Sequence, residues 1–131
     1  TASGPVPTRV YNRPGTYTPT LTVRDEWNAS SEVFTLPAIT ITEPSGNVAP
    51  TAQIAFNCIA LTCATSSAGS ADPNAGDTIS YLWDFGDGTA TSTSSSPSHT
   101  YASPGPYTLT LTVTDGWGKY TTVTRVVTVS P

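Results

Sequence analysis

The stretch Ile79–Gly88 constrains the fold more strongly than any other part of the sequence. Side chains of an extended chain alternate between two faces, so Tyr81, Trp83 and Phe85 share one face. Three aromatic side chains on one face carry so much apolar area that a second layer must cover them. The run ends at Gly86-Asp87-Gly88, which is typical of a tight turn. The pattern predicts a central buried strand that ends in a turn.

A second stretch, Tyr107–Asp115, predicts a partner for that strand. Large apolar residues alternate with threonines along it, as in a strand with one buried and one solvated face. It follows the corner Ser103-Pro104-Gly105-Pro106. In immunoglobulin-like sandwiches a tyrosine after such a corner turns its hydroxyl back to the corner backbone. Together the two stretches predict an all-β fold, an immunoglobulin-like β-sandwich.

Composition excludes several classes of function. The chain of 131 residues has 12 prolines and 10 glycines, which disfavour long helices. A net charge of −4 with only five Lys and Arg argues against nucleic acid or an anionic membrane as a partner. No apolar run approaches the roughly 20 residues that span a bilayer. With no methionine and no signal peptide, we expect a processed or excised piece of a longer protein.

Two cysteines, Cys58 and Cys63, predict a disulfide across a short β-hairpin. Such a bond implies an oxidising, extracellular compartment. The alternative is a metal site, which needs further Cys or His ligands, and His99 is the single histidine.

Three motifs in this order resemble the PKD (polycystic kidney disease) domain family: Trp83–Gly88, Pro97–Tyr101 and Gly105–Asp115. The resemblance covers about Asn47–Val129. It implies a PKD-type sandwich that acts as a non-catalytic module of a larger secreted or surface protein. It also implies an accessory role beside a protease or a polysaccharide-degrading enzyme.

Shifting the sequence by 90 positions shows an internal repeat, with eleven identities within residues 11–27. The matched residues are Tyr11, Pro14, Gly15, Tyr17, Thr18, Thr20, Leu21, Thr22, Val23, Asp25 and Trp27. Since Thr1 aligns with Thr91, the first copy lacks the front half of the module. We therefore predict a C-terminal half-module at 1–43, a linker at 44–48 and a complete module at 49–131.

Strands are predicted in both copies. In the first copy they lie near Thr8–Tyr11, Thr16–Arg24 and Ser31–Thr42. In the second they lie near Thr51–Asn57, Leu61–Ser66, Thr78–Phe85, Ser98–Tyr101, Pro106–Thr114 and Lys119–Val129.

The missing front half has two interpretations. One is a cut in the loop after the central strand, with the other half lost or present as a separate chain. The other is assembly, in which a neighbouring polypeptide donates the missing strands to residues 1–43. In either case we expect the inward apolar residues of the first copy to be buried by another polypeptide segment.

Enzymatic interpretations are weak. A lone His99 beside Ser98 does not form a catalytic triad without suitable geometry, and the resemblance gives it a structural place at a strand start. Asp84 and Asp87 suggest a carboxylate pair for glycoside hydrolysis. Carboxylates beside a Gly-Asp-Gly turn more often accept backbone amides and fix the turn.

A calcium site is the stronger chemical hypothesis. The loop Asp72-Pro-Asn-Ala-Gly-Asp77 places side-chain oxygens at short intervals, as Ca²⁺ prefers. The resemblance implies four ligands in the second copy: Asn47, Asp72, Asn74 and Asp115. Asn74 stands where the family usually has Asp, so one negative charge is missing, and Asp77 is a compensating candidate. The alternative is a plain turn stabilised by Asx side chains.

Two tryptophans on equivalent turns, Trp117 and Trp27, are candidate binding residues. Such a side chain can stack on a sugar ring or anchor a partner protein. The alternative is that each packs over the end of its own sandwich.

The sequence thus predicts a non-catalytic, extracellular spacer and interaction module. Its partners would be neighbouring modules, a completing chain, or a polysaccharide or protein substrate. The alternative is a repeat unit of a surface filament, sheath or adhesin assembled by strand complementation between chains.

Overall fold

The computed structural model describes residues 7–11 and 13–131. Residues 1–6 of the predicted first copy lie outside this part of the chain. Contacts divide the protein into two units, residues 1–45 and 46–131. No helix among the described residues is long and apolar enough to cross a membrane.

The first unit contains four short strands, which form two separate antiparallel sheets, β1–β4 and β2–β3. Their bounds are β1 (Gly15–Tyr17), β2 (Thr20–Leu21), β3 (Phe34–Thr35) and β4 (Ile39–Ile41).

The second unit contains six strands in two three-stranded antiparallel sheets, ordered β5-β6-β8 and β10-β9-β7. Their bounds are β5 (Ala55–Ile59), β6 (Thr62–Ser66), β7 (Ile79–Asp84), β8 (Ser98–Thr100), β9 (Gly105–Asp115) and β10 (Tyr120–Val129). Side chains from both sheets form one hydrophobic core. The predicted immunoglobulin-like β-sandwich is confirmed.

Trp83 lies at the centre of that core with 0 % of its surface exposed, and Phe85 is 4 % exposed. Around them pack apolar residues of strands β6, β9 and β10: Cys63, Leu109, Leu111, Val113, Val127 and Val129. The indole Nε1 of Trp83 donates to the carbonyl oxygen of Ser94 at 2.9 Å, which satisfies its polar atom inside the core. The prediction that the rings of Trp83 and Phe85 are sealed between two layers is confirmed.

The predicted first strand of this unit, Thr51–Asn57, is wrong in its bounds, because β5 spans Ala55–Ile59. Thr51 instead forms an isolated bridge with Ala71, and its backbone N–H donates to the carbonyl oxygen of Ala71 at 2.7 Å. The strand continues past Asn57 because its hairpin with β6 pairs Cys58 with Cys63 and Ile59 with Thr62. The other five strands lie within two residues of their predicted ends.

The predicted long strands of the first unit are also wrong in extent. Residues 8–11 form no strand, and Thr16–Arg24 and Ser31–Thr42 each contain two short strands. Pro19 and Pro37 lie in the two interruptions and have no N–H for a ladder.

The pairing register of the first unit drifts relative to the second. Arg24↔Ser30 lies 90 positions before Thr114↔Tyr120, so the hairpin ends correspond. Further along, Leu21 pairs with Phe34 and Gly15 pairs with Ile41. The uniform repeat would pair Leu21 with Val33 and Gly15 with Ile39. The return strand therefore holds one extra residue before β3 and another before β4, as in β-bulges.

Large apolar side chains of the first unit are widely exposed. Phe34 is 65 % exposed, Val23 57 % and Ile39 43 %. Val113, which is the residue equivalent to Val23 in the second unit, is fully buried. The difference is that the second unit has an opposing sheet.

Candidate functional site

Asp115 ends strand β9 and organises the turn that follows. Its Oδ1 accepts the backbone N–H groups of Trp117 and Lys119, both at 2.8 Å. Its Oδ2 accepts the side-chain amide of Asn47 at 2.8 Å. Burial alone would raise the pKa of Asp115, but these hydrogen bonds outweigh it and lower the pKa below its ordinary value. The carboxylate is therefore buried and ionised at neutral pH.

Asn47 ties the start of the second unit to this turn. The residue is 7 % exposed, and its backbone carbonyl oxygen accepts a hydrogen bond from the ammonium group of Lys119 at 2.6 Å. Because Asn47 and Asp115 are far apart in sequence, these hydrogen bonds connect the N-terminal end of the module to the end of β9.

The loop 72–77 lies against the same region. Asp72 Oδ1 accepts the N–H of Asn74 at 2.8 Å, which forms the kind of Asx turn that the alternative interpretation describes. Both polar atoms of the Asn74 side chain bind the linker. Oδ1 accepts the N–H of Val48 at 2.8 Å, and Nδ2 donates to the carbonyl oxygen of Gly46 at 3.1 Å. Of the predicted ligands, Asn74 thus holds the linker in place and its side-chain oxygen is already engaged.

Carboxylate oxygens of Asp72, Asp77 and Asp115 lie within 4.8 Å of one another. Oδ2 of Asp72 is buried and has no hydrogen-bond partner among the described residues. A buried acceptor without a donor is costly, and a bound cation would satisfy it. Three carboxylates form the oxygen-rich donor set that Ca²⁺ takes. The residues present therefore fit a divalent cation, and Asp77 belongs to the cluster as the sequence suggested.

The first unit repeats the turn, with Asp25 in the place of Asp115. Asp25 Oδ1 accepts the N–H groups of Trp27 at 3.0 Å and Ala29 at 2.9 Å. Asn28 has a φ of 64°, and Gly118 at the equivalent position has 100°. Trp27 is 83 % exposed, and Trp117 is partly buried. The two tryptophans therefore differ in surroundings despite equivalent turns.

The aspartates of the central turn act on the backbone. Asp84 Oδ1 accepts the N–H of Gly86 at 2.8 Å, and Asp87 Oδ1 accepts the N–H of Thr89 at 3.2 Å. Both therefore fix the Gly-Asp-Gly turn, as the sequence indicated.

The pair formed by Asp87 and His99 was not predicted from the sequence. Asp87 Oδ2 and His99 Nε2 are 2.7 Å apart, and the His99 ring stacks on Phe85 with centroids 4.1 Å apart. Burial raises the pKa of Asp87, but hydrogen bonds from Thr89 and His99 outweigh it and bring the pKa to about 2. The His99 side chain thereby connects strand β8 to the turn after β7.

The disulfide Cys58–Cys63 is present and closes the β5–β6 hairpin. Cys63 is 1 % exposed and also pairs with His99 of β8. The predicted disulfide is confirmed, and the alternative of a cysteine metal site is excluded.

The described fold is a small all-β sandwich whose polar residues fix turns around a buried tryptophan. The PKD domain family model matches residues 47–129. The chain belongs to the PKD domain family.

Similar solved structures include the PKD1 domain of Vibrio anguillarum Epp, at 37 % identity and a TM-score of 0.59, covering 64 % of this chain and 96 % of that one. The PKD1 domain of the Vibrio cholerae metalloprotease PrtV matches at 36 % identity and a TM-score of 0.58, covering 64 % and 100 %. A structure of promiscuous carbohydrate-binding modules of the β-sandwich superfamily matches at 33 % identity and a TM-score of 0.58, covering 66 % of this chain but 36 % of that one. No curated protein sequence matches the chain.

Proposed function

We propose that the chain is a non-catalytic, calcium-stabilised spacer and interaction module of a larger extracellular protein. Membership of the PKD family and the likeness to a PKD domain of a metalloprotease support an accessory role. The disulfide supports an oxidising, extracellular setting. The observation that carries the proposal is the convergence of three carboxylates where the linker, the loop 72–77 and the end of β9 meet.

Calcium at this place would act structurally. Asp72, Asp77 and Asp115 would hold the ion, which would neutralise their mutual repulsion. Asn47 would support Asp115 from the start of the module. Because these residues come from three separate segments, a bound ion would fasten the module entrance and stiffen the connection to a preceding domain.

Thermal unfolding with calcium and with chelator tests this proposal. We expect millimolar Ca²⁺ to raise the melting temperature by several degrees, and equal curves would contradict the proposal. Asp77→Asn is the informative variant, because the turn is held through the backbone N–H of Asp77, and its carboxylate accepts no hydrogen bond of the turn among the described residues. It should lose the calcium response and melt slightly higher than the wild type in chelator, where one repulsive charge is gone. Glu26→Gln, an exposed acid of the first unit, is the matched control and should keep the full response.

Contact with a polymer or protein substrate is proposed through Trp27. An indole that is 83 % exposed on a turn offers a flat face to a sugar ring or a partner side chain. The likeness to carbohydrate-binding modules supports this use of a β-sandwich surface.

Co-sedimentation with chitin, cellulose and collagen tests the contact. We expect retention on at least one polymer and loss of retention in Trp27→Ala. Phe34→Ala is the control, because it removes another exposed aromatic of the same unit. Retention on none of the three polymers counts against the interaction role.

A second candidate function is favoured by the exposed apolar side chains of the first unit. We propose that residues 7–43 form the back half of a PKD module and receive strands from another polypeptide segment, as in a surface filament, sheath or adhesin. Strand addition would bury Val23, Phe34 and Ile39, which are now exposed. The native particle should then contain a second polypeptide segment by intact mass, and a lone monomeric chain would contradict it.

A further inference from the structure

The first unit contains a cavity of about 320 Å³, lined by Arg9, Tyr11, Tyr17, Thr18, Pro19 and Thr20. The guanidinium carbon of Arg9 lies 5.6 Å from the centroid of the Tyr11 ring. The rings of Tyr11 and Tyr17 are 4.4 Å apart, and the Tyr17 hydroxyl donates to the carbonyl of Arg13 at 2.9 Å. The cavity is therefore framed by an aromatic pair with a permanent positive charge beside it.

The second unit has the same frame 90 residues later. The rings of Tyr101 and Tyr107 stack with centroids 4.1 Å apart, and the Tyr107 hydroxyl donates to Ser103 at 2.9 Å. His99 takes the place of Arg9, with its ring edge-on to Tyr101 at 4.6 Å. The contacts that this tyrosine pair makes in the second unit therefore indicate which type of segment the tyrosine pair of the first unit can bind.

In the second unit the turn after β7 occupies this place through three separate contacts. Asp87 pairs with His99 at 2.7 Å. The Tyr101 hydroxyl donates to the Phe85 carbonyl at 3.1 Å. Gly86 lies so close to the Thr108 carbonyl oxygen that any Cβ would clash with it. The residues that receive these contacts correspond to Arg9, Tyr11 and Thr18, which all line the cavity.

The backbone edge beside the cavity is also available. Strand β7 pairs with β9 along the edge opposite β10, with Asp84 opposite Thr110. Thr20 is the equivalent residue in β2 and pairs with Thr35 of β3. No strand pairs with the other edge of β2 among the described residues. An unpaired edge beside a cavity is the geometry of strand addition.

We propose that this cavity docks the turn of a Trp-Asp-Phe-Gly-Asp-Gly strand, with Arg9 binding its second aspartate. The proposal rests on the second candidate function and names the contacts by which it works. The occupant is a polypeptide segment of the type of residues 46–90. It is not a second copy of the whole chain, because the chain's own Trp83 segment is sealed in its core. Arginine stays charged at all relevant pH values, so docking should not require protonation as a histidine pair would.

A labelled, oxidised peptide with the sequence of residues 46–90 tests the proposal by fluorescence anisotropy with the full chain. We expect saturable binding, weakened about threefold to tenfold by Arg9→Gln. Arg125→Gln is the matched control, because this arginine lies in the second unit, and it should change nothing. The peptide carrying Asp87→Asn should bind more weakly, and Arg9→Gln should then cause no further loss. The peptide carrying Gly86→Ala should not bind, because its Cβ would meet the backbone at Thr18.

The outcomes separate the inference from the function on which it rests. Binding that is indifferent to Arg9 and to the peptide aspartate overturns the inference but leaves strand complementation standing. Absence of any binding overturns both. Self-association of the chain that the peptide does not reverse identifies a second copy as the occupant and also overturns the inference.

Discussion

Gly86 shows how closely one residue can fix the fold. Its φ of +76° is in the left-handed region, and a Cβ there would clash with the Thr108 carbonyl. Gly88 has nearly the same angle, +78°, but open space around it. Substitution of Gly88 therefore tests backbone strain alone, and substitution of Gly86 tests strain together with a steric clash.

Gly86→Ala should lower the free energy of unfolding by at least about 2 kcal/mol, because strain and overpacking add. Gly88→Ala should cost only about 1 kcal/mol, since it meets strain alone. Urea unfolding followed by tryptophan fluorescence measures both. Equal losses in the two variants would show that Gly86 does not lie against β9.

The Asp87 carboxylate makes stability depend on acid. Its pKa is lowered to about 2 in the folded protein from an ordinary value of 3.8. The folded state thus binds this proton less readily than the unfolded state. The stabilisation is therefore fully present above about pH 4 and is lost as the pH falls toward 2.

Asp87→Asn should lower stability at pH 7 by about 1 to 2 kcal/mol through the lost charged hydrogen bonds. It should also flatten the fall in stability between pH 4 and pH 2. Melting temperatures across that range provide the measurement, with Glu32→Gln as a control that keeps the wild-type slope. An unchanged slope in Asp87→Asn would assign the acid sensitivity to another group.

At the scale of strands, alternation of apolar and polar residues was enough to locate β7 and β9, because each has one more deeply buried face. It failed at Thr51, whose pairing with Ala71 depends on a contact with a distant loop. It failed again in the first unit, where Pro19 and Pro37 interrupt strands that their neighbours favour. Local pattern therefore predicts strands whose ladder is continuous and misjudges those that are interrupted.

The candidate site was predictable in part for a related reason. Acidic residues around the loop 72–77 and at the end of β9 could be proposed from residue type and family resemblance. The use of the Asn74 amide on the linker and the pairing of Asp87 with His99 depend on three-dimensional placement. Neither contact has a signal in residue spacing.

The β5–β6 hairpin carries its own prediction. Replacing both Cys58 and Cys63 by alanine should cost about 2 kcal/mol, because the closed loop is short and removes little entropy from the unfolded chain. Urea midpoints of the wild type with and without reductant measure the contribution of the disulfide to stability independently. Reductant should leave the double variant unaffected. Equal midpoints for oxidised wild type and double variant would contradict a stabilising role.

At the scale of the whole molecule, the two units contrast a closed and an open form of related architecture. The second unit surrounds Trp83 with two sheets, and its polar residues are engaged in fixing turns and the linker. The first unit has matching turns and tyrosines but exposed apolar side chains. This contrast supports the proposal that a further polypeptide segment completes the first unit.

The fluorescence of Trp83 reports whether the sandwich is sealed around this side chain. In the variant Trp27→Phe with Trp117→Phe, Trp83 is the sole remaining tryptophan, since the chain has three. We expect a blue-shifted emission that acrylamide barely quenches until the protein unfolds. An emission like that of free indole in water, readily quenched in the native protein, would contradict it.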